Sequence, residues 1–178
     1  MNSGFFNFDT RKFKRKIIPK TIEILSITRK TNIAIIHIIT EYKNDKSDWP
    51  KSLTNRDKIW CLENTEESKI INDIEPKENE IKIIKKRFSG FYNTELQPKL
   101  IELKIDTIFI AGYSADVCVR LTTMDAFNEG YKIYWLSDCI DSAFEKYSDS
   151  LKYIKRLTNL TVLNNNEYYK LLNDQKIL

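Results

Sequence analysis

The chain has 178 residues, of which 42% are apolar and 30% are charged, and its formal net charge is +4. This composition is typical of a folded globular chain and excludes an intrinsically disordered one. The length predicts a single domain over residues 1–178 that buries a core without disulfides. The three cysteines form no CxxC pair, which indicates a reducing compartment, so we expect a cytoplasmic protein.

Membranes and nucleic acids are disfavoured as partners. No apolar run approaches the roughly 20 residues that cross a bilayer, so no membrane contact is expected. The basic run at 11–16 is short, and we interpret it as the solvated face of a helix rather than as a nucleic-acid interface. Salt-dependent binding to DNA would contradict that interpretation.

Short β-branched segments alternate with helical ones along the chain. The patterns predict a helix at 19–30 with Pro19 in its first turn, a buried strand at 32–40, an irregular loop at 41–64 and a strand at 80–85. There follow a helix at 94–103, a strand at 106–112, a helix at 116–128, a strand at 131–137, a helix at 147–157, a strand at 160–163 and a helix at 166–172. This order predicts a three-layer, doubly wound α/β fold, with a mostly parallel sheet and helices on both faces. We mark the long loop as a candidate binding element.

In such sheets ligands bind at the carboxyl ends of the strands, and two reactive side chains are expected there. Lys85 ends the strand at 80–85, and Cys118 lies in the first helical turn after the strand at 106–112. The N–H groups and the positive dipole at a helix start, together with a nearby lysine, favour a thiolate over a thiol. Position alone leaves two interpretations of Cys118 open, a nucleophile and an inert buried cysteine. The second interpretation suits Cys61 and Cys139.

Linked motifs surround both residues. Residues 85–96 (KKRFSGFYNTEL) resemble the pattern K-x-R-[YF]-S-A-F-x-x-T-x-L. Residues 112–119 (GYSADVCV), with 122–126 (TTMDA) after them, resemble G-x-x-x-x-x-C-V…T-x-x-D-A. In order and spacing the two segments are similar to those of the isochorismatase-like cysteine hydrolases, a family that includes nicotinamidases and N-carbamoylsarcosine amidases. The resemblance implies that family's fold and a hydrolase activity.

The resemblance also implies a role for each matching residue. Cys118 matches the nucleophile that attacks an amide or carbamoyl carbonyl to give a thioester, and Lys85 matches the lysine that stabilises its thiolate. Tyr113 and Ser114 match a cis peptide bond, and backbone N–H groups of Ser114 and Cys118 match the oxyanion hole. We place three aromatic residues at the substrate: Phe5, Trp60 and Phe91.

Neither a metal nor a cofactor is expected. Nicotinamidases of this family bind zinc through an aspartate and histidines, whereas this chain has one histidine, His37, within a run of isoleucines. One histidine cannot form such a site, so we interpret His37 as a core residue. Family members that cleave a vinyl ether often lack the cysteine. Cys118 therefore favours hydrolysis of a C–N bond in a small amide, ureido or carbamoyl compound.

The N-terminal segment departs from the family pattern. Residues 1–5 (MNSGF) resemble the later part of the motif D-M-Q-N-x-F, whose aspartate ends the first strand and acts as general base. Neither that aspartate nor the central strand before it has a counterpart in this sequence, so two neighbouring strands are expected to have open edges. Three explanations stay open: a start at an internal methionine, a truncated pseudoenzyme, or a base supplied by another group.

The sequence thus predicts a hydrolase that acts on a small-molecule amide, and we expect a homo-oligomer. The alternative is a catalytically impaired homologue that serves as an interaction or structural protein, since an open sheet edge invites pairing.

Overall fold

The computed structural model describes residues 10–174, with side chains from residue 16 onward. Helices and strands alternate along this part of the chain. In order they are α1 (Thr10–Thr28), β1 (Ile36–Thr40), β2 (Ile81–Lys85), α2 (Leu96–Glu102), β3 (Thr107–Tyr113), α3 (Cys118–Asn128), β4 (Lys132–Asp141), α4 (Tyr147–Thr158), β5 (Thr161–Leu163) and α5 (Asn165–Asp174). Three single turns of 3-10 helix interrupt the long connection between β1 and β2.

The strands form two sheets, in which every described pairing is parallel. β1 pairs with β2 in a register that runs from Ile36 opposite Ile81 to Thr40 opposite Lys85. β4 lies between β3 and β5 in the second sheet. The predicted α/β class, with parallel strands joined by helices, is confirmed.

The second sheet is covered by helices on both faces. Trp135 of β4 packs into a cluster with residues of α3 and α4, whereas Leu136 and Cys139 pack with residues of α1 and α5. Trp135 is fully buried, and its indole N–H donates a hydrogen bond of 2.9 Å to the hydroxyl of Thr123 on α3. Adjacent residues of β4 thus face opposite layers, as expected for a strand between two helical layers.

The expected start of the first helix is wrong. The helix begins at Thr10, so Pro19 lies inside it rather than in its first turn. Lysine and arginine are good helix formers, and Ile17 and Ile18, which precede Pro19, are buried, so the apolar face of the helix begins before the proline. None of the helices among residues 10–174 is both long and apolar enough to cross a membrane.

The strand at 131–137 also differs from its prediction, because β4 continues to Asp141. The register of β3 against β4 shifts between Ile110, which pairs with Trp135, and Gly112, which pairs with Ile140, so the additional residues lie in β4; Tyr113 then pairs with Asp141. β3 therefore stays paired up to its carboxyl end, where the turn toward α3 begins.

Candidate active site

Lys85 and Cys118 meet at the carboxyl ends of the strands. Lys85 is the last residue of β2, and Cys118 is the first residue of α3. The Lys85 Nζ donates a hydrogen bond to the Cys118 Sγ across 3.6 Å, and a second one of 2.8 Å to the carbonyl of Arg87. Both side chains are buried, with 5% and 9% of their residue surfaces exposed. The structure thus brings together the two residues that sequence analysis singled out.

Burial dominates the electrostatics of this pair. It raises the pKa of the Cys118 thiol above its ordinary value, and the Lys85 ammonium only partly opposes that effect. Burial likewise lowers the pKa of Lys85, against the attraction of the Cys118 thiolate. The expected low pKa of Cys118 is therefore wrong, because desolvation of the sulfur outweighs the nearby cation. A base that takes the proton from the Cys118 sulfur would therefore assist its attack.

A tight turn places Cys118 at the helix start. The peptide bond between Tyr113 and Ser114 is cis, at the position that the resemblance implied. The carbonyl of Ser114 accepts hydrogen bonds from the N–H groups of Val117 (3.1 Å) and Val119 (3.0 Å). These two bonds fold residues 114–119 back on themselves, and the Cys118 side chain faces Lys85.

Asp116, which sequence analysis treated only as a helix start, anchors this turn to the loop after β4. Its carboxylate accepts hydrogen bonds from the N–H groups of Ala143 (3.1 Å), Phe144 (2.6 Å) and Glu145 (3.0 Å). Burial alone would raise the pKa of Asp116, but the hydrogen bonds from the Ser114 hydroxyl and from these backbone groups lower it overall. Asp116 is therefore a carboxylate with a structural task. Its partners lie 27 to 29 residues further along the chain, which no local pattern reveals.

A second set of hydrogen bonds joins the turn after β2 to α3. The Ser89 hydroxyl donates to the carboxylate of Asp125, and the Gly90 N–H donates to the Thr122 hydroxyl across 2.9 Å. A Cβ at Gly90 would lie 2.9 Å from the Ile38 Cδ1, so glycine suits this close approach. We call Ser89, Gly90, Thr122 and Asp125 the turn–helix brace. It fixes the segment after Lys85 to the helix that begins with Cys118.

The loop at 41–64 is attached to the same region through Asp48. Its carboxylate forms an ion pair of 2.9 Å with Lys86, and its carbonyl accepts a hydrogen bond of 2.8 Å from Arg87. Both basic residues directly follow Lys85. Tyr42 and Trp49 are buried in a small apolar cluster of the loop, so its fold is ordered around this anchor.

The three aromatic residues placed at the substrate have different surroundings. Phe91 lines the cleft between the sheets, and its ring centroid lies 6.1 Å from that of Tyr131. Trp60 is in the loop and is 36% exposed, and it is not among the residues that line the described part of that cleft. Phe5 lies outside the described residues. Substrate contact for all three stays a prediction.

His37 belongs to a buried ionic network at the other end of the strands. Its Nε2 lies 2.7 Å from the Glu80 carboxylate, which also accepts a hydrogen bond of 2.6 Å from Arg29. Burial lowers the pKa of His37, and Glu80 opposes this. Among the described residues, no group of three or more His, Cys, Asp or Glu side chains is placed to hold a metal ion.

Comparison with known proteins identifies the family. The isochorismatase domain model matches residues 1–165. The uncharacterized isochorismatase family protein YaaI of Bacillus subtilis (strain 168) is 30% identical over 141 residues, which are 77% of this chain and 75% of that protein. The N-carbamoylsarcosine amidase of an Arthrobacter species is 29% identical over 128 residues, 65% of this chain and 46% of that protein.

A solved structure agrees with these matches. The isochorismatase-like hydrolase from Alkaliphilus metalliredigens has a TM-score of 0.78 at 28% sequence identity, over 88% of this chain and 85% of that chain. The family model covers most of the chain, and the strand-end motifs fall within its range. The chain therefore belongs to the isochorismatase family of hydrolases.

Proposed function

We propose that this protein cleaves a C–N bond of a small amide, ureido or carbamoyl compound, with Cys118 as the nucleophile. The contact of 3.6 Å between Lys85 Nζ and Cys118 Sγ carries the proposal. A lysine ammonium beside a sulfur stabilises the negative charge of the thiolate. The similarity to an N-carbamoylsarcosine amidase supports a carbamoyl or amide compound as the substrate class.

The proposed reaction has two steps. The Cys118 sulfur attacks the carbonyl carbon after its proton passes to a base, and the oxyanion lies against the N–H groups of Ser114 and Cys118. The C–N bond then breaks, the nitrogen leaves with a proton, and water hydrolyses the thioester. Because burial raises the pKa of Cys118, a base that accepts its proton favours the first step. The family resemblance assigns that task to an aspartate on the first strand, which stays a prediction for this protein.

Iodoacetamide is expected to label Cys118 faster than Cys61 or Cys139. Cys118 is partly accessible, whereas the other two are fully buried and burial raises the pKa of each to about 12. The rate at Cys118 should continue to rise above pH 9, because its pKa lies above the ordinary value of 9.0 and the thiolate is the reactive form. Peptide mass spectrometry at timed intervals measures each rate. Equal labelling of the three thiols would contradict the assignment.

Lys85→Met is expected to slow the labelling of Cys118 by about tenfold at pH 8, because loss of the ammonium raises the thiol pKa further and leaves less thiolate. Lys82→Met is the matched control, since Lys82 lies on the same strand with its side chain exposed. The control should label at the wild-type rate. If both variants label alike, Lys85 does not stabilise the thiolate.

A second candidate function is that of a catalytically impaired homologue with an interaction or structural task. It is favoured by the sheet topology, in which no described strand pairs with the edges of β1 and β3 that face the cleft. Ammonia release from a panel of small amide, ureido and carbamoyl compounds separates the two functions. Turnover of any member by the full chain would exclude the impaired homologue.

A further inference from the structure

Arg87 connects the loop at 41–64 to Lys85. Its guanidinium Nη1 donates two hydrogen bonds, one of 2.8 Å to the carbonyl of Asp48 in the loop and one of 2.6 Å to the carbonyl of Lys86. Its own carbonyl accepts the hydrogen bond of 2.8 Å from the Lys85 Nζ. We call these three bonds the Arg87 clamp. One residue thus holds the loop with its side chain and an ammonium group with its backbone.

The loop provides a fixed acceptor for the clamp. The Asp48 carboxylate accepts a hydrogen bond of 2.9 Å from the N–H of Lys43, whose carbonyl accepts one of 2.7 Å from the Trp49 indole. Trp49 is buried in the apolar cluster of the loop together with Tyr42. All of these contacts lie within the loop and none involves Arg87. The Asp48 carbonyl is therefore held in place by the fold of the loop itself.

Attachment of the loop does not by itself account for the bonds of Arg87. The ion pair of 2.9 Å between Asp48 and Lys86 already attaches the loop at this point. Arg87 is half-buried, and among the described residues no carboxylate forms an ion pair with it. Backbone carbonyls compensate a partly buried cation less well than a carboxylate does. The bonds therefore fix the direction of the Arg87 side chain rather than neutralise its charge.

The Lys85 ammonium depends on the clamp for its position. It ends a flexible four-carbon stem, and its Nζ donates two hydrogen bonds, to the Arg87 carbonyl at 2.8 Å and to the Cys118 Sγ at 3.6 Å. A thiol sulfur is a weak acceptor, so the carbonyl determines where the ammonium lies. Displacement of that carbonyl would move the ammonium away from the sulfur.

Any effect of Arg87 on the sulfur has to pass through Lys85. In the part of the chain that the structure describes, two charged side chains shift the pKa of the Cys118 thiol: Lys85 lowers it and Asp116 raises it. Arg87 is not one of them. Its loss should therefore change Cys118 by displacing Lys85, and not by removing a charge that acts on the sulfur directly.

We propose that Arg87 is a positioning residue of the active site. Its guanidinium clamps the segment after β2 to the Asp48 carbonyl, and the Arg87 carbonyl thereby holds the Lys85 ammonium against the Cys118 sulfur. The loop and the cation that stabilises the thiolate then move together. The contribution of the clamp to turnover rests on the proposed hydrolase function, whereas its effect on the Cys118 thiol does not.

The test follows alkylation of Cys118 by iodoacetamide in the full chain, between about pH 6 and pH 11. Arg87→Gln removes both guanidinium bonds and is expected to slow the reaction by about fivefold at pH 8, because the displaced ammonium stabilises less thiolate. The two profiles should converge at the highest pH, where the sulfur is ionised in both proteins. A change in access alone would lower the rate by one factor over the whole range, and that result, or an unchanged profile, overturns the proposal.

Two further variants separate position from charge. Lys86→Gln is the matched control, because Lys86 is the adjacent basic residue and contacts the same Asp48, and its alkylation rate should stay within about twofold of wild type. Equal displacement of the Lys86→Gln and Arg87→Gln profiles overturns the clamp. Arg87→Lys keeps the charge but is one bond shorter, so it should displace the profile in the same direction by less. A wild-type profile in Arg87→Lys would assign the effect to charge and overturn the clamp as well.

Turnover distinguishes this proposal from the proposed hydrolase function. For a compound that the wild type hydrolyses, Arg87→Gln should lower kcat by about tenfold and leave KM within about threefold, because the clamp acts on Lys85 and not on the substrate. A raised KM with an unchanged kcat would make Arg87 a substrate-binding residue and overturn the proposal. If the wild type hydrolyses no member of the panel, the hydrolase function fails, and the alkylation profiles still decide whether Arg87 positions Lys85.

Discussion

Cys118→Ser is expected to abolish hydrolysis of small amides, with a loss of at least about 10³-fold in rate. A serine hydroxyl has a far higher pKa than a thiol, and Lys85 stabilises a sulfur anion far more readily than an alkoxide at this position. The measurement is ammonia release by the full chain over the panel of amide, ureido and carbamoyl compounds. Circular dichroism and thermal unfolding establish that the variant keeps its fold.

Cys139→Ala is the matched control for this substitution. Cys139 is a fully buried residue of β4 that packs against α1 and α5, and its Sγ lies 3.5 Å from the Asn165 Oδ1. Its loss removes a thiol from the core and leaves the pair of Lys85 and Cys118 unchanged, so turnover should persist in the folded variant. A Cys118→Ser protein that retains wild-type activity would show that another residue is the nucleophile.

Glu80→Gln is expected to lower the free energy of unfolding by about 3 kcal/mol at pH 7. The Glu80 side chain is 4% exposed and accepts hydrogen bonds from Arg29 and from the N–H of Lys77, and it contacts His37. The hydrogen bond from Arg29 is the largest of the effects that lower the pKa of Glu80 from 4.5 to about 2. Each pKa unit corresponds to 1.36 kcal/mol, which sets the expected size. Urea unfolding monitored by fluorescence measures it.

The stabilising effect of Glu80 should depend on pH, and the direction of that dependence follows from its lowered pKa. The folded pKa of Glu80 lies below the unfolded one, so its stabilising effect is fully present above about pH 4.5 and is lost as the pH falls toward 2. The stability difference between wild type and Glu80→Gln should therefore be constant near neutral pH and should shrink in acid. Glu102→Gln, in an exposed pair with Lys99, should show no measurable difference at any pH. A difference for Glu80 that does not change with pH would contradict the ionic origin.

The bounds of β2, α2, β3 and α3 could be predicted from sequence to within two residues, whereas β1 begins at Ile36, four residues after its predicted start. The apolar runs that became β2 and β3 are short, strongly β-branched and bounded by polar residues or glycine, so local pattern sufficed. α1 was predicted to start nine residues late. A proline usually marks a helix start, and the basic residues before it showed no amphipathic pattern by themselves. The continuation of β4 past Ser137 depends on a register shift between β4 and β3, which no local pattern contains.

Some features of the candidate site could likewise be predicted from sequence, and others could not. The approach of Lys85 to Cys118 was predictable, because residues at the carboxyl ends of parallel strands meet at one edge. The rise of the Cys118 pKa was not predictable, since burial of the sulfur depends on how separate segments pack around it. The task of Asp116 was hidden for the same reason, because its partners are backbone groups of a distant loop.

The turn–helix brace has a consequence for how this family is recognised. Ser89, Thr122 and Asp125 are among the positions at which the sequence matches the two motifs, yet their side chains bond to one another or to the Gly90 N–H rather than to the sulfur. Selection for folding alone would retain them, even in a lineage whose chemistry has drifted or stopped. A match at these positions diagnoses ancestry and scaffold. Evidence for turnover has to come from Cys118, from Lys85 and from the base that accepts the thiol proton.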